Sequence, residues 1–241
     1  MTTAIQYHRR VLAHSVQDRP IEGFFFGSAQ PKQLNTLFIG VFHGDEWNSA
    51  DLLQRLVAAF QNGQFKEQPI PFEQSPVLII PILNPDGLAA KSRVNANRVD
   101  LNRNYPTPDW TEDNANTPYY SGQSAGSEPE TQLVISLLKT YQPKKIVTVH
   151  CPYRVLNFDG PAKAFAEAVA LKSGYPVVES IGYPTPGSFG TYAGIQRNIP
   201  VLTLELPPNP DDPPDPELPP AESLEQNWLT HQAALEAAIR F

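Results

Sequence analysis

Four short and almost uninterrupted apolar runs, at residues 34–42, 76–83, 145–149 and 201–206, alternate with longer segments whose apolar positions recur at helical spacing. Runs of this length, rich in Leu, Ile, Val and Phe, read as strands buried on both faces. After the first run, Trp47, Ala50, Leu53, Val57 and Phe60 fall on one face of a helix over 46–60, which Asn62-Gly63 ends. The second run stops at Asn84-Pro85-Asp86-Gly87, a strong turn signal. Ser127 is placed to cap a helix over 128–141 with Glu130 as the capping-box acid, and Pro161 opens a helix over 162–172. Leu224, Trp228, Leu235 and Ile239 mark a closing amphipathic helix over 221–240. Alternating strands and helices predict an α/β fold with a mostly parallel or mixed central sheet covered by helices on both faces. The expected organisation is a single domain over 1–241.

Two segments break the alternation. Residues 91–126 are polar and rich in Asn, Pro and Tyr, and so long a loop in a compact domain is often functional. Residues 207–220, PPNPDDPPDPELPP, are too proline-rich for helix or sheet and read as an extended surface tract.

Composition narrows the function classes. Eighteen basic against 25 acidic side chains give a net charge of -7 with no basic block, so nucleic acid is a poor partner. The single cysteine, Cys151, excludes an intramolecular disulfide and a multi-cysteine metal site. No apolar run approaches the ~18 residues of a membrane span, and the N-terminal residues lack the apolar core of a signal peptide. A cytoplasmic protein without membrane association is the expectation. Oligomeric state leaves no trace in the sequence.

Candidate chemistry gathers at the ends of the predicted strands. His43 and Glu46 follow the first run, His150 follows the third, and Glu205 closes the fourth. In open α/β sheets ligands bind outside the carboxyl ends of the strands, so these groups can converge. Two imidazoles with one carboxylate form the His₂Glu set that suits one zinc ion and leaves a position for water. Glu205, flanked by apolar residues in TLELP, is the candidate base, because burial raises a carboxylate pKa toward neutrality. Each group also has a plainer reading: a chance H-x-x-E, a hydrogen-bonded core histidine, a strand-end carboxylate paired with an arginine. The loop NPDGLAAKSRVNANRVDLNRNYP adds candidates of its own. Asp100 can orient a ligand histidine through its second ring nitrogen. Asn102 and Arg103 offer an amide and a planar fork for a carboxylate. Arg93 is a free cation able to face a developing oxyanion. A solvated polar loop is the alternative.

These pieces in this order, His43-x-x-Glu46, Asn84-Pro85-Asp86-Gly87, Val99-Asp100-Leu101-Asn102-Arg103-Asn104, His150 and Leu204-Glu205-Leu206, resemble the zinc metallocarboxypeptidases over roughly residues 15–207. Finer details point to the short bacterial branch of murein peptide amidases: Ser15–Ile21 at the N-terminus, His150-Cys151-Pro152 followed by Asn157-x-Asp159-Gly160-Pro161, and residues 182–190. The resemblance implies a zinc-dependent hydrolase with His43, Glu46 and His150 as ligands and Glu205 as base and later proton donor. It implies Asn102 and Arg103 as the clamp for a terminal carboxylate, Arg93 polarising the scissile carbonyl, and Asp100 supporting His43. A mobile tyrosine is also implied, with Tyr183 favoured over Tyr192. The implied partner is a small peptide with a free carboxylate, in this branch cleaved at the γ-D-glutamyl–diaminopimelate bond during cell-wall recycling. Its specificity pocket is expected around residues 188–194. A deacylase of small N-acyl amino acids, a general zinc carboxypeptidase and a metal-free binding protein of the same fold are the alternatives. Two residues depart from the branch by replacing a glycine, Asp18 and Arg98. The second is expected to add bulk and charge on the anion-binding side.

Overall fold

The computed structural model describes residues 5–112 and 115–241. Among the described residues eight strands form one mixed sheet: β1 (Tyr7–His14), β2 (Pro20–Phe26), β3 (Thr36–Gly40), β4 (Val77–Ile80), β5 (Lys145–His150), β6 (Val155–Asp159), β7 (Val177–Val178) and β8 (Val201–Glu205). Their order is β1-β2-β4-β3-β5-β8-β6-β7. The four strands read from apolar runs are the parallel centre, β4-β3-β5-β8, and every residue of β3, β4 and β5 is buried. The hairpin β1-β2 and strand β6 join antiparallel at the flanks. They escape a search for apolar runs because edge strands alternate in exposure, as β1 does.

Helices cover both faces. On one side α1 (Trp47–Gln61), α4 (Lys163–Ser173) and α5 (Leu224–Arg240) pack over Phe38, Val147 and Leu202; on the other α3 (Pro129–Tyr141) packs over Leu37, Ile39 and Ile146. Alternate residues of one strand thus feed two cores. Among the described residues no helix is long and apolar enough to cross a membrane.

Several boundaries differ from expectation for physical reasons. The second strand stops at Ile80 because Pro81 has no N–H to donate, and the amides of Leu83 and Asn84 turn to the carbonyls of Gly40 and Val41. The expected turn at 84–87 is instead the start of a helix, α2 (Pro85–Ala90), whose N-cap Asn84 accepts from the Gly87 amide. The capping box at Ser127 does not form. Glu128 is the N-cap of α3, and the carboxylates of Glu128 and Glu130 accept from the buried Asn95 side chain, fixing the loop that leads to Asp100. Pro161 lies one residue before the N-cap of α4.

Asp18 and Arg98 both have positive φ, 61° and 63°. That explains why glycine is usual at each, since the left-handed region penalises a Cβ. Arg98 is exposed and lines none of the cavities around Arg103, so the expected bulk on the anion-binding side does not materialise.

Candidate metal centre and active site

Parallel register sets the centre. His150 at the end of β5 is paired with Glu205 at the end of β8, so both side chains leave the sheet on one face. Three residues beyond β3, His43 is carried in by a tight passage. Gly44 is required there, because a Cβ would lie 1.9 Å from the Gly87 backbone of α2. Asn84 locks that contact through its amide on the Phe42 carbonyl. Glu46 is the N-cap of α1 but makes no capping bond, which leaves its carboxylate for the site.

The Glu46 carboxylate lies between the two imidazoles. Its Oε1 is 2.6 Å from His43 Nδ1 and its Oε2 is 2.9 Å from His150 Nδ1. One ligand atom from each of these three buried residues falls within 4.8 Å of the other two. Two Nδ1 atoms and a carboxylate converging on one point, with the remaining His43 nitrogen held elsewhere, fit a single zinc ion. The holder is Asp100, buried completely, whose Oδ1 is 3.1 Å from His43 Nε2.

Asp100 also corrects the reading of Arg93. That guanidinium is not a free cation: Nε and Nη2 both donate to Asp100 Oδ2, at 3.0 and 2.9 Å. The pairing orients the arginine beside Glu46, with which it lines a common cavity. Burial would push the Asp100 carboxyl up, but His43 and Arg93 outweigh it and hold it well below the usual range. For His43, burial lowers the pKa, yet the charges of Glu46 and Asp100 win and raise it to about 9. Glu46 is held low by the two histidines against its own burial. Glu205 behaves oppositely. Burial and the nearby Glu46 charge push it up to about 8, and its Oε2 has no hydrogen-bond partner among the described residues.

On the other side of Glu205 a polar pocket opens, lined in part by Asn102, His150, Asn157, Asp159, Tyr183 and Ser188. Asn102 uses its Oδ1 to accept from the Phe189 amide, leaving its Nδ2 to donate. Arg103 is buried, anchored through Nη1 on the Asn102 carbonyl, and joins Tyr183, Tyr119 and Tyr153 around an adjoining cavity. The two candidate tyrosines separate cleanly. Tyr183 is 42% exposed in the cleft, whereas Tyr192 is 2% exposed and packed on Tyr105 beneath Arg197. The segment 188–194 supplies only part of the pocket wall. Asn157, Asp159 and Thr203 supply more, and the sequence signal for them was available: polar residues alternate with Leu156, Phe158, Leu202 and Leu204 along β6 and β8. Alternation at period two puts those polar groups on one face, the face that carries Glu205.

The described arrangement agrees with known proteins. The family profile described as zinc carboxypeptidase matches residues 5–164, more than half of the chain. Murein peptide amidase A of Vibrio campbellii is 37% identical over 142 residues, covering 54% of this chain and 56% of that protein. Its counterpart in Escherichia coli strain K12 is 35% identical over 145 residues, covering 56% and 59%. The alignments therefore span little more than half the length of these curated relatives. Among solved structures, the murein-tripeptide amidase of Escherichia coli O157 superposes with a TM-score of 0.76 at 25% identity, covering 100% of this chain and 98% of that one. Carboxypeptidase A from Helicoverpa armigera gives 0.78 at 16% identity, covering 98% and 68%, and so shares the fold.

Two outcomes follow from the charge arrangement. In the metal-free protein His43 carries a proton up to about pH 9, and a ligand imidazole must lose it. Zinc binding near pH 7 should release protons, and affinity should climb with pH and level off above about pH 9. Calorimetric titration in buffers of different ionisation enthalpy checks this; pH-independent binding without proton release would contradict it. Asp100→Ala should remove the hydrogen-bonding anchor of Arg93, which keeps only the charges of Glu46 and Asp45 nearby, costing about 1–3 kcal/mol in denaturant unfolding. The same change should weaken zinc affinity by about 10–100-fold, measured by competition with a chelator. Wild-type affinity would refute the supporting role.

Proposed function

The chain belongs to the zinc carboxypeptidase family, and from that premise we propose that it hydrolyses an amide bond whose leaving residue bears a free carboxylate, in the class of murein peptides joined through γ-D-glutamyl–diaminopimelate. The observation that carries the reading is that His150 of the His43–Glu46–His150 set, the buried Glu205 and Asn102 line one pocket, with Arg103 on the cavity that adjoins it. When bound to that set, zinc supplies Lewis acidity that lowers the pKa of water and polarises a carbonyl.

The chain's own residues do the rest. Glu205, with a pKa raised to about 8 and an unpartnered oxygen, takes a proton from the attacking water and returns it to the leaving amine. Arg93, held by Asp100 through Nε and Nη2, turns its remaining edge toward the developing oxyanion. Asn102 Nδ2 and the outer nitrogens of Arg103 grip the leaving residue's carboxylate. Tyr183, at the mouth, closes over it and keeps water out.

Asp159 makes the pocket suited to a zwitterionic side chain. It lines the pocket beside Asn157, burial raises its pKa, and no hydrogen bond or ion pair engages its carboxylate among the described residues. Gly190 and Gly194 make room for it, since a Cβ on either would come within 2.6 Å of Asp159 side-chain atoms. An ammonium on the far end of diaminopimelate is the natural partner for such a group.

Glu205→Gln should bind zinc as wild type but lose about 10²–10⁴-fold in kcat. Near-normal turnover would remove Glu205 from the chemistry. The substitution should also stabilise the metal-free protein. A carboxyl whose folded pKa is raised from 4.5 to about 8 contributes stability that is complete below 4.5 and lost as pH rises through 8. Metal-free Glu205→Gln should therefore melt above wild type at alkaline pH, and the gap should close below 4.5. For Asp159, the readout is the kcat/KM ratio between leaving residues that end in an ammonium and their uncharged isosteres. Asp159→Asn should shrink that ratio by about tenfold or more, the worth of one charge-assisted hydrogen bond. An unchanged ratio would free the pocket of this assignment.

A further inference from the structure

Asp100 holds Arg93 along one edge, and through one oxygen. Nε and Nη2 converge on Oδ2, at 3.0 and 2.9 Å. Two parallel bonds to both oxygens of a carboxylate would fix the guanidinium plane, whereas two donors on one oxygen let it roll about the line to that oxygen. Among the described residues no hydrogen bond engages Nη1, and Arg93 lines a cavity whose far wall includes Asn209, Asp212 and Leu218. The plane is set by Tyr119 instead, whose ring faces the guanidinium with Cζ 5.1 Å from its centroid. We infer that Tyr119 is a positioning residue for Arg93, aiming the free edge of the guanidinium at the developing oxyanion. The inference rests on the hydrolase reading above.

The ring is itself held in place for such a task. The Tyr119 amide donates to Thr117 Oγ1, and the Tyr120 carbonyl accepts from the Asp100 amide at 2.8 Å. One residue further, the Ser121 carbonyl accepts from Asn104 Nδ2 at 2.8 Å. Residues 119–121 are therefore tied to both ends of the stretch that carries Asn102 and Arg103. Asp100 serves twice: its side chain takes the edge of Arg93, and its backbone fastens the segment that covers the face. One constraint lies in the guanidinium plane and the other normal to it. Tyr119 is 48% exposed, yet it shields a side chain that is only 22% exposed. Water kept from that face leaves the guanidinium charge less screened toward the metal centre.

Tyr119 also lines the cavity of Arg103, Tyr153 and Tyr183, so a role toward the substrate carboxylate must be told apart from a role toward Arg93. The two differ in when they act. A residue that steadies Arg93 contributes once charge develops on the scissile carbonyl, and its loss falls on kcat. A residue that serves Arg103 contributes as soon as a carboxylate binds, and its loss weakens any ligand bearing that carboxylate, product included. Among the described residues no hydrogen bond or ring contact joins Tyr119 to His43, Glu46 or His150, so zinc binding should not depend on it.

The test uses the zinc-loaded protein with L-Ala-γ-D-Glu-diaminopimelate as substrate and free diaminopimelate as competitive inhibitor. Tyr119→Leu should retain zinc and lose about tenfold in kcat, a part of what one oxyanion donor is worth. The inhibition constant of diaminopimelate should stay within about twofold of wild type, because the carboxylate clamp is untouched. Tyr119→Phe keeps the ring face and should keep kcat within about twofold. In an Arg93→Gln background, Tyr119→Leu should cost less than about twofold more, since two residues acting through one contact are not additive. An equal loss in Tyr119→Phe, a tenfold loss that persists without Arg93, or weaker diaminopimelate binding in step with kcat would each overturn the inference. Unchanged kcat in Tyr119→Leu would overturn it too, while wild-type turnover left the hydrolase reading standing. Failure of wild type to cleave the tripeptide would overturn both.

Discussion

One buried carboxylate links the working parts of this protein. Asp100 is inaccessible to solvent, and its two oxygens together engage His43 Nε2, the Arg93 guanidinium and the Asn102 amide. A metal ligand and the two loop groups proposed here to meet the oxyanion and the substrate carboxylate therefore share an anchor. A carboxylate so placed is tolerable only because three donors surround it, and each donor is oriented only because the carboxylate is there. Residues 93–104 of the loop are held by this constraint and by the Asn95 clasp on Glu128 and Glu130 behind it.

The sheet supplies what Asp100 cannot. Parallel pairing of β5 with β8 puts His150 level with Glu205, and β3 delivers His43 at the same edge. Two carboxylates then stand near one another with opposite tendencies. Glu46, flanked by imidazoles, stays ionised, while Glu205, buried beside that negative charge, is pushed toward its neutral form. Separated tendencies of this kind support the proposed division of roles between ligand and base.

How much of this was legible in the sequence depends on range. The central strands and the metal set were readable because buried parallel strands leave continuous apolar runs, and the ligands sit where those runs end. Asp100 was readable as a support for His43, since a bound imidazole calls for a second partner. Its grip on Arg93 was not, because one oxygen can serve two donors and sequence does not count them. The turn at 84–87 was misread for a similar reason. Asn-Pro-Asp-Gly suits a turn and a helix start equally, and what decides is Asp86 accepting from Ser15, Gln17 and Arg19 across the fold. Asp159 and the placement of residues 207–220 beside Glu46 depend on contacts between residues distant along the chain, which no local pattern encodes. Even so, the polar alternation along β6 marked the face on which Asp159 lies.

The proposed specificity turns on the leaving residue: a carboxylate at one end for Asn102 and Arg103, and a charged far end for Asp159. The most direct measurement is product analysis by mass spectrometry for the zinc-loaded protein given the murein tripeptide beside ordinary peptides of matched length with apolar C-terminal residues. The account predicts release of free diaminopimelate from the tripeptide with little cleavage of the others, and loss of both activities when zinc is removed. Faster release of the apolar C-terminal residues, or hydrolysis that survives complete removal of zinc, would contradict it.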